Sequence, residues 1–128
     1  MSNKKILVVD DSPMIRRIVG LILKEEHYDV LTAENGLVAC EMAKANKPDL
    51  IVMDVKMPVM NGIEATTRIK ADAETANIPV LIFTSLGSEE DILMAQETGV
   101  NGFLNKPISR EELKSTVSAL LLSPKDPQ

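Results

Sequence analysis

A chain of 128 residues has room for one domain that buries roughly two thirds of the surface its unfolded form would expose. Hydrophobic residues at 45% and charged residues at 26% are ordinary globular usage, and the longest apolar runs, four or five residues, fall far short of the roughly 20 that a membrane-spanning helix needs. A net charge of -5 with 2% aromatic residues argues against nucleic-acid binding, and the lone Cys40, with no Cys or His cluster at zinc spacing, excludes an internal disulfide and a zinc site.

In chain order, Met1 to Lys5 carries a basic pair, but only Ile6 to Val9 follow before Asp10 and Asp11 interrupt. That is no signal-peptide core, so a cytoplasmic chain is expected. Ile6-Leu7-Val8-Val9 reads as a strand buried on both faces that delivers the Asp10-Asp11 pair. Ser12-Pro13 then predicts a helix start, with Ser12 as N-cap and Pro13 where its missing amide costs nothing. Ile15, Ile18, Val19 and Ile22 give this helix one apolar face as far as about Lys24. Arg16 and Arg17 lie off that stripe, as a solvated basic face or a partner-docking surface.

His27 falls in a loop and reads as a surface residue. Asp29 to Ala33 is a weaker, mixed strand that suits a sheet edge. Asn35-Gly36 opens a second helix that turns Val38, Ala39, Met42 and Ala43 inward, with Cys40 as a small core residue, and Lys47-Pro48 ends it. Leu50-Ile51-Val52-Met53 is the second strong buried strand and runs directly into Asp54. The aperiodic loop Val55 to Gly62 leads to a helix from about Ile63 to Ala71. Val80 to Phe83 is the third strong run, ending in Thr84-Ser85. A polar loop from Leu86 to Glu90 enters a fourth helix with Ser88 and Asp91 at capping-box spacing. Gly99 to Gly102 turns into the short strand Phe103-Leu104-Asn105, followed by Lys106-Pro107. Ser109 and Glu112 repeat the capping-box spacing, and Leu113, Val117, Leu120 and Leu121 form the apolar face of a fifth helix. Residues 123–128 read as a tail or the start of a linker.

Five alternations of strand and helix predict a doubly wound α/β domain over residues 1–122: a parallel sheet with helices on both faces, the three apolar strands central and the two weaker ones at the edges. In such a sheet, ligands bind beyond the carboxyl ends of the strands. Asp10, Asp11, Asp54, Thr84 and Lys106 all fall at that edge. Each alone also fits a plain role, as a loop carboxylate or cap, a strand-end hydroxyl or a solvated lysine. Together they define a site. Carboxylates about 5 Å apart repel by roughly 3 kcal/mol per pair at an effective dielectric near 20, so cationic compensation is required. Lys106 supplies one charge, and an all-oxygen site with few protein ligands suits Mg²⁺. A carboxylate nucleophile beside such charges is equipped to form an acyl phosphate.

These residues resemble the receiver domains of bacterial two-component response regulators. The resemblance runs from Ile6 to about Leu122. It is carried by Asp54-Val55-Lys56-Met57-Pro58-Val59-Met60-Asn61-Gly62, matching the family pattern D-x-x-M-P-x-M-x-G, with the acidic pair, the Thr after the fourth strand and the Lys-Pro after the fifth. It implies the flavodoxin-like strand order 2-1-3-4-5, for which a chemotaxis receiver is a standard example. It makes Asp54 the phosphoacceptor, and assigns Mg²⁺ to Asp10, Asp11, Asp54 and the backbone carbonyl of Lys56. It implies that Lys106 and Thr84 contact the phosphoryl group, that the Lys106-Pro107 bond is cis, and that Thr84 and Phe103 act as switch residues.

The implied partners are a sensor histidine kinase or a histidine phosphotransfer protein as donor, and an output partner or appended output domain. No role on nucleic acid or membrane is expected of this domain, and the chain is expected as a monomer or a phosphorylation-dependent dimer. Phosphorylation would shift a face made by the fourth helix, fifth strand and fifth helix. The resemblance makes Lys56 and Leu86, two positions beyond Asp54 and Thr84, positions that help set phosphoryl lifetime, and a long lysine with an apolar leucine there predicts slow loss of the phosphoryl group. Two other readings compete. An aspartyl-nucleophile phosphatase needs a second Asp two residues after the first, where Lys56 stands, and a cap domain. A flavin-binding flavodoxin would be repelled by Asp10-Asp11 and lacks ring-stacking aromatics.

Overall fold

The computed structural model describes residues 3–85, 93, 96–107 and 109–122. Its strands are β1 (Lys5–Val9), β2 (Asp29–Ala33), β3 (Leu50–Met53), β4 (Val80–Thr84) and β5 (Gly102–Asn105), and its helices are α1 (Pro13–Glu25), α2 (Gly36–Asn46), α3 (Gly62–Ala71) and α4 (Arg110–Leu122). The five strands form one parallel sheet in the order β2-β1-β3-β4-β5, a flavodoxin-like α/β arrangement with the two weaker strands at the edges, as expected. The helix expected after Glu90 lies outside the described residues except for Leu93, Gln96 and Glu97, and with it fall Leu86, the Ser88–Asp91 cap and the tail from 123 to 128.

Strand pleating splits each apolar run between two cores. Leu7, Val9, Ile51, Met53 and Ile82 face α2 and α3, where they pack on Ala39, Ala43, Ala65 and Ile69. Ile6, Val8, Leu50, Val52, Leu81 and Phe83 face α1 and α4, against Val19, Leu23, Leu113 and Val117. Because β1, β3 and β4 are covered on both sides, their sequences are continuous rather than alternating apolar runs.

The caps follow the sequence. Ser12 accepts from the amide of Ile15, Asn35 from Val38, and Ser109 from Glu112. Asn61 caps α3 by accepting from Glu64, which starts that helix one residue before the expected Ile63. His27 is exposed, as expected, and takes a left-handed conformation (φ 67°) that closes α1. Three details differ from the sequence reading. Ile18 is 39% exposed instead of core, because it fronts an open cleft between α1 and α4, and Leu23 takes the interior position. Cys40 is half-buried, its Sγ 3.7 Å from the Ala65 carbonyl, on the flank of the α2–α3 contact. Arg16 is half-buried and bonded to backbone instead of forming a solvated face with Arg17.

Two links beyond the sheet hold the loops in place. Lys70 at the end of α3 donates from Nζ to the carbonyls of Ala76 and Ile78 and to Asn101 Oδ1, tying the segment before β4 to the turn before β5. Burial of that ammonium lowers its pKa. On the opposite face of the sheet Glu25 pairs with Arg110 and Lys114, joining the end of α1 to α4.

Candidate functional site

The site lies where β1, β3, β4 and β5 end. β1 places Asp10 one residue past Val9, and β3 places Asp54 one residue past Met53; the register pairs Val9 with Met53, so the two carboxylates emerge side by side. The Asp54 amide donates to the Val9 carbonyl at 2.9 Å, which extends the pairing to the site itself. Asp10 and Asp54 are 2% and 7% exposed, an uncommon depth for carboxylates. Asp11 is exposed, and one oxygen from each of Asp10, Asp11 and Asp54 lies within 4.8 Å of the others. That group is an all-oxygen cluster of the kind that holds a hard divalent cation.

Lys106 enters from the end of β5. Its Nζ lies 2.9 Å from Asp10 Oδ2 and 3.3 Å from Asp54 Oδ2, and 5.6 Å from the centroid of the Phe83 ring. Burial alone would lower its pKa, but the hydrogen bond to Asp10 and the charges of Asp54 and Asp10 outweigh burial, and the net shift is upward. The Lys106-Pro107 bond is cis. Thr84, 1% exposed at the end of β4, hydrogen-bonds Asp54 through its side chain, and its carbonyl accepts from the Lys106 amide at 2.8 Å.

The carboxyl group of Asp54 is shifted from its ordinary behaviour. Burial and the negative charge of Asp10 push its pKa up, against the opposing pull of Lys106, the Val55 amide on Oδ1 at 2.8 Å, and Thr84. An ionised Asp54 is thus stabilised by aimed donors yet kept basic by its surroundings, which suits a carboxylate nucleophile.

The structure therefore brings together Asp10, Asp11, Asp54, Thr84 and Lys106. Lys56 is an exposed loop residue, two positions past Asp54. Phe103 pairs in register with Ile82 and packs, half-buried, against the α2–α3 core. Two contributors escaped the sequence reading. Gly62, quoted there only as a motif letter, lies so close to β3 that a Cβ would sit 2.0 Å from the Asp54 carbonyl oxygen; its amide donates to the Val55 carbonyl at 2.8 Å. Arg16 Nη1 donates to the Asp10 carbonyl at 2.7 Å. The periodicity of α1 carried a faint signal, since Arg16 lies one turn past Ser12 and so near the strand end.

A parallel sheet of this order, with three acidic groups and a lysine at its carboxyl edge, defines the class. Residues 6–118 match the response regulator receiver domain model, and the chain belongs to that family. Among its relatives, the protein PilH of Pseudomonas aeruginosa is 39% identical over 91% of this chain and 97% of its own, and the chemotaxis protein CheY of Halobacterium salinarum is 40% identical over 92% and 97%. Among solved structures, the receiver domain of the sensor histidine kinase PA1611 of P. aeruginosa superposes with a TM-score of 0.89 at 28% identity, covering 95% of this chain and all of the other. That structure has a magnesium ion coordinated in its active site cleft. A receiver domain is a signalling switch rather than a turnover catalyst, and it implies a histidine kinase as partner. Among the described residues, no helix is long and apolar enough to cross a membrane.

Proposed function

We propose that this chain is a phosphorylation-activated switch in which Asp54 accepts a phosphoryl group from a phosphohistidine, on a sensor histidine kinase or a phosphotransfer protein, in a Mg²⁺-dependent reaction. The observation that carries this reading is the convergence of a basic, buried Asp54 with the Lys106 ammonium and two further carboxylates at one sheet edge. A carboxylate oxygen of Asp54 attacks phosphorus, the bond from phosphorus to the donor imidazole breaks, and the freed imidazole takes up a proton. Asp10, Asp11, Asp54 and the Lys56 carbonyl are the residues that would hold Mg²⁺, whose chemistry is to neutralise charge on the phosphoryl oxygens. Lys106 adds a positive charge to the same purpose, and the Thr84 hydroxyl turns from Asp54 to a phosphoryl oxygen.

The new charge then draws Thr84 and Lys106 toward Asp54, and Phe103 moves inward to change the partner-binding face around β5 and α4. Carrying such an equilibrium from mostly inactive to mostly active takes about 5.5 kcal/mol of preference for the phosphorylated state. In this reading residues 1–122 are the receiver unit, residues 123–128 a tail or linker, and the site of action the cytoplasm. The output is a partner protein or an appended domain, reached by a monomer or a phosphorylation-dependent dimer.

The test is incubation with acetyl phosphate and Mg²⁺ followed by intact-mass measurement. Gain of one phosphoryl group is expected, absent in Asp54→Asn and in EDTA. An unmodified protein, or an Asp54→Asn variant modified equally well, would overturn the reading.

A further inference from the structure

Three carboxylates form the candidate metal cluster, and they are not held alike. Asp10 is fixed at four points: its amide on the Ala33 carbonyl, Oδ1 from the Ser12 amide, Oδ2 from Lys106, and its carbonyl from Arg16. Asp54 is fixed through its amide, through Oδ1 by Val55 and through Oδ2 by Lys106. Asp11 is exposed, and among the described residues no side chain or amide engages its carboxylate. Among the described residues, only the backbone can aim it.

The backbone element that does so is the peptide between Asp10 and Asp11. A peptide unit is planar, so holding its oxygen constrains the plane that carries the Asp11 N–Cα bond, the axis about which the Asp11 side chain swings. Arg16 holds that oxygen at 2.7 Å. A guanidinium beside a cluster of carboxylates has ion pairs available to it, yet among the described residues Arg16 makes none and spends its Nη1 on this carbonyl. The side chain lies along the edge of the sheet, lining a cleft with Thr32 and Ala33, the residue whose carbonyl receives the Asp10 amide. The first turn of α1 anchors it, with the Arg16 amide on the Ser12 carbonyl at 3.1 Å. One turn of helix, one guanidinium and one peptide thus form a closed brace behind Asp11.

We propose that Arg16 is a positioning residue for Mg²⁺ binding: by gripping the Asp10 carbonyl it aims the Asp11 carboxylate into the cluster with Asp10 and Asp54. This rests on the reading that those three carboxylates hold Mg²⁺.

The sign of the effect separates this role from a charge effect. Arg16→Met removes a positive charge beside an acidic cluster, which by charge alone tightens cation binding. Loss of the brace weakens it, by about tenfold, the scale at which residues that orient metal ligands act. Calorimetric titration of the metal-free protein with MgCl2 reads this directly, and melting in EDTA shows whether the fold survives. Arg16→Met is expected to bind Mg²⁺ about tenfold more weakly, with Arg17→Met, the same charge loss one residue on, equal to or tighter than the parent. Arg16→Gln, neutral and too short to reach the carbonyl, repeats the test in case the methionine variant does not fold. Mg²⁺ binding unchanged or tightened in the Arg16 variants, while the parent binds and Asp11→Asn does not, overturns the proposal alone. A parent protein that takes up no Mg²⁺, or an Asp11→Asn variant that binds as the parent does, overturns the reading beneath it and the proposal with it.

Discussion

Asp54 and Gly62 are eight positions apart in sequence and in contact in space, and each has a measurable cost. The Asp54 pKa is raised in the folded chain by burial and by Asp10, so the folded state favours the protonated form relative to the unfolded chain. The stability that this group contributes is therefore fully present below the ordinary aspartate pKa and is lost as pH rises through the raised one. Asp54→Asn, a neutral isostere, is expected to be more stable than the parent at neutral pH in the absence of metal. Urea midpoints across the acid range should show the two proteins converging as pH falls; a variant less stable at neutral pH would contradict the assigned balance of charges. At Gly62, a Cβ would meet the Asp54 carbonyl oxygen at 2.0 Å, and backbone cannot swing aside as a flexible side chain can. Gly62→Ala is expected to lose about 3 kcal/mol in urea unfolding and to lower phosphorylation, because relief of the clash must displace Asp54, the proposed phosphoacceptor.

The loop between β3 and α3 shows how much an element can hide from its sequence. Met57-Pro58 and Gly62 were legible as a family pattern, while the capping role of Asn61 was not. Val59 was one unremarked letter, yet it holds φ at 70° with its side chain 75% exposed. A β-branched residue pays for a left-handed conformation, and no packing recompenses it here. Val59→Asn is expected to gain about 1 kcal/mol of stability, read as a raised melting temperature, since Asn tolerates that region. The strands were readable for the opposite reason. Ile6 to Val9, Leu50 to Met53 and Val80 to Phe83 are buried on both faces, so each wrote its burial into a continuous apolar run. Their ends gave away Asp10, Asp54 and Thr84, because topology fixes which end of a parallel strand faces the crevice. Arg16 and Lys70 were silent for a common reason: each acts on a backbone carbonyl, which has no letter of its own. Ile18 misled because helical spacing reports a face, not whether a neighbour covers it.

Across the whole molecule, the charges at the sheet edge do not balance. Among the described residues, the three carboxylates and the one ammonium bonded to two of them leave two negative charges in excess, the amount that one divalent cation supplies. Mg²⁺ that binds the folded chain and not the unfolded one stabilises it by mass action, about 2.7 kcal/mol at a concentration one hundred times Kd. The melting temperature is therefore expected to climb with MgCl2 at constant ionic strength and to stay level in Asp11→Asn; a parent protein indifferent to MgCl2 would count against the cation site.

The bond from the Lys106 amide to the Thr84 carbonyl, at 2.8 Å, has a mechanical consequence. It rivets the two residues, on neighbouring strands, into a single ledge above Asp54. A backbone shift at Thr84 is thereby passed to the backbone at the end of β5. In the proposed switch, the edge strand is the element through which a change of charge at Asp54 would leave the site.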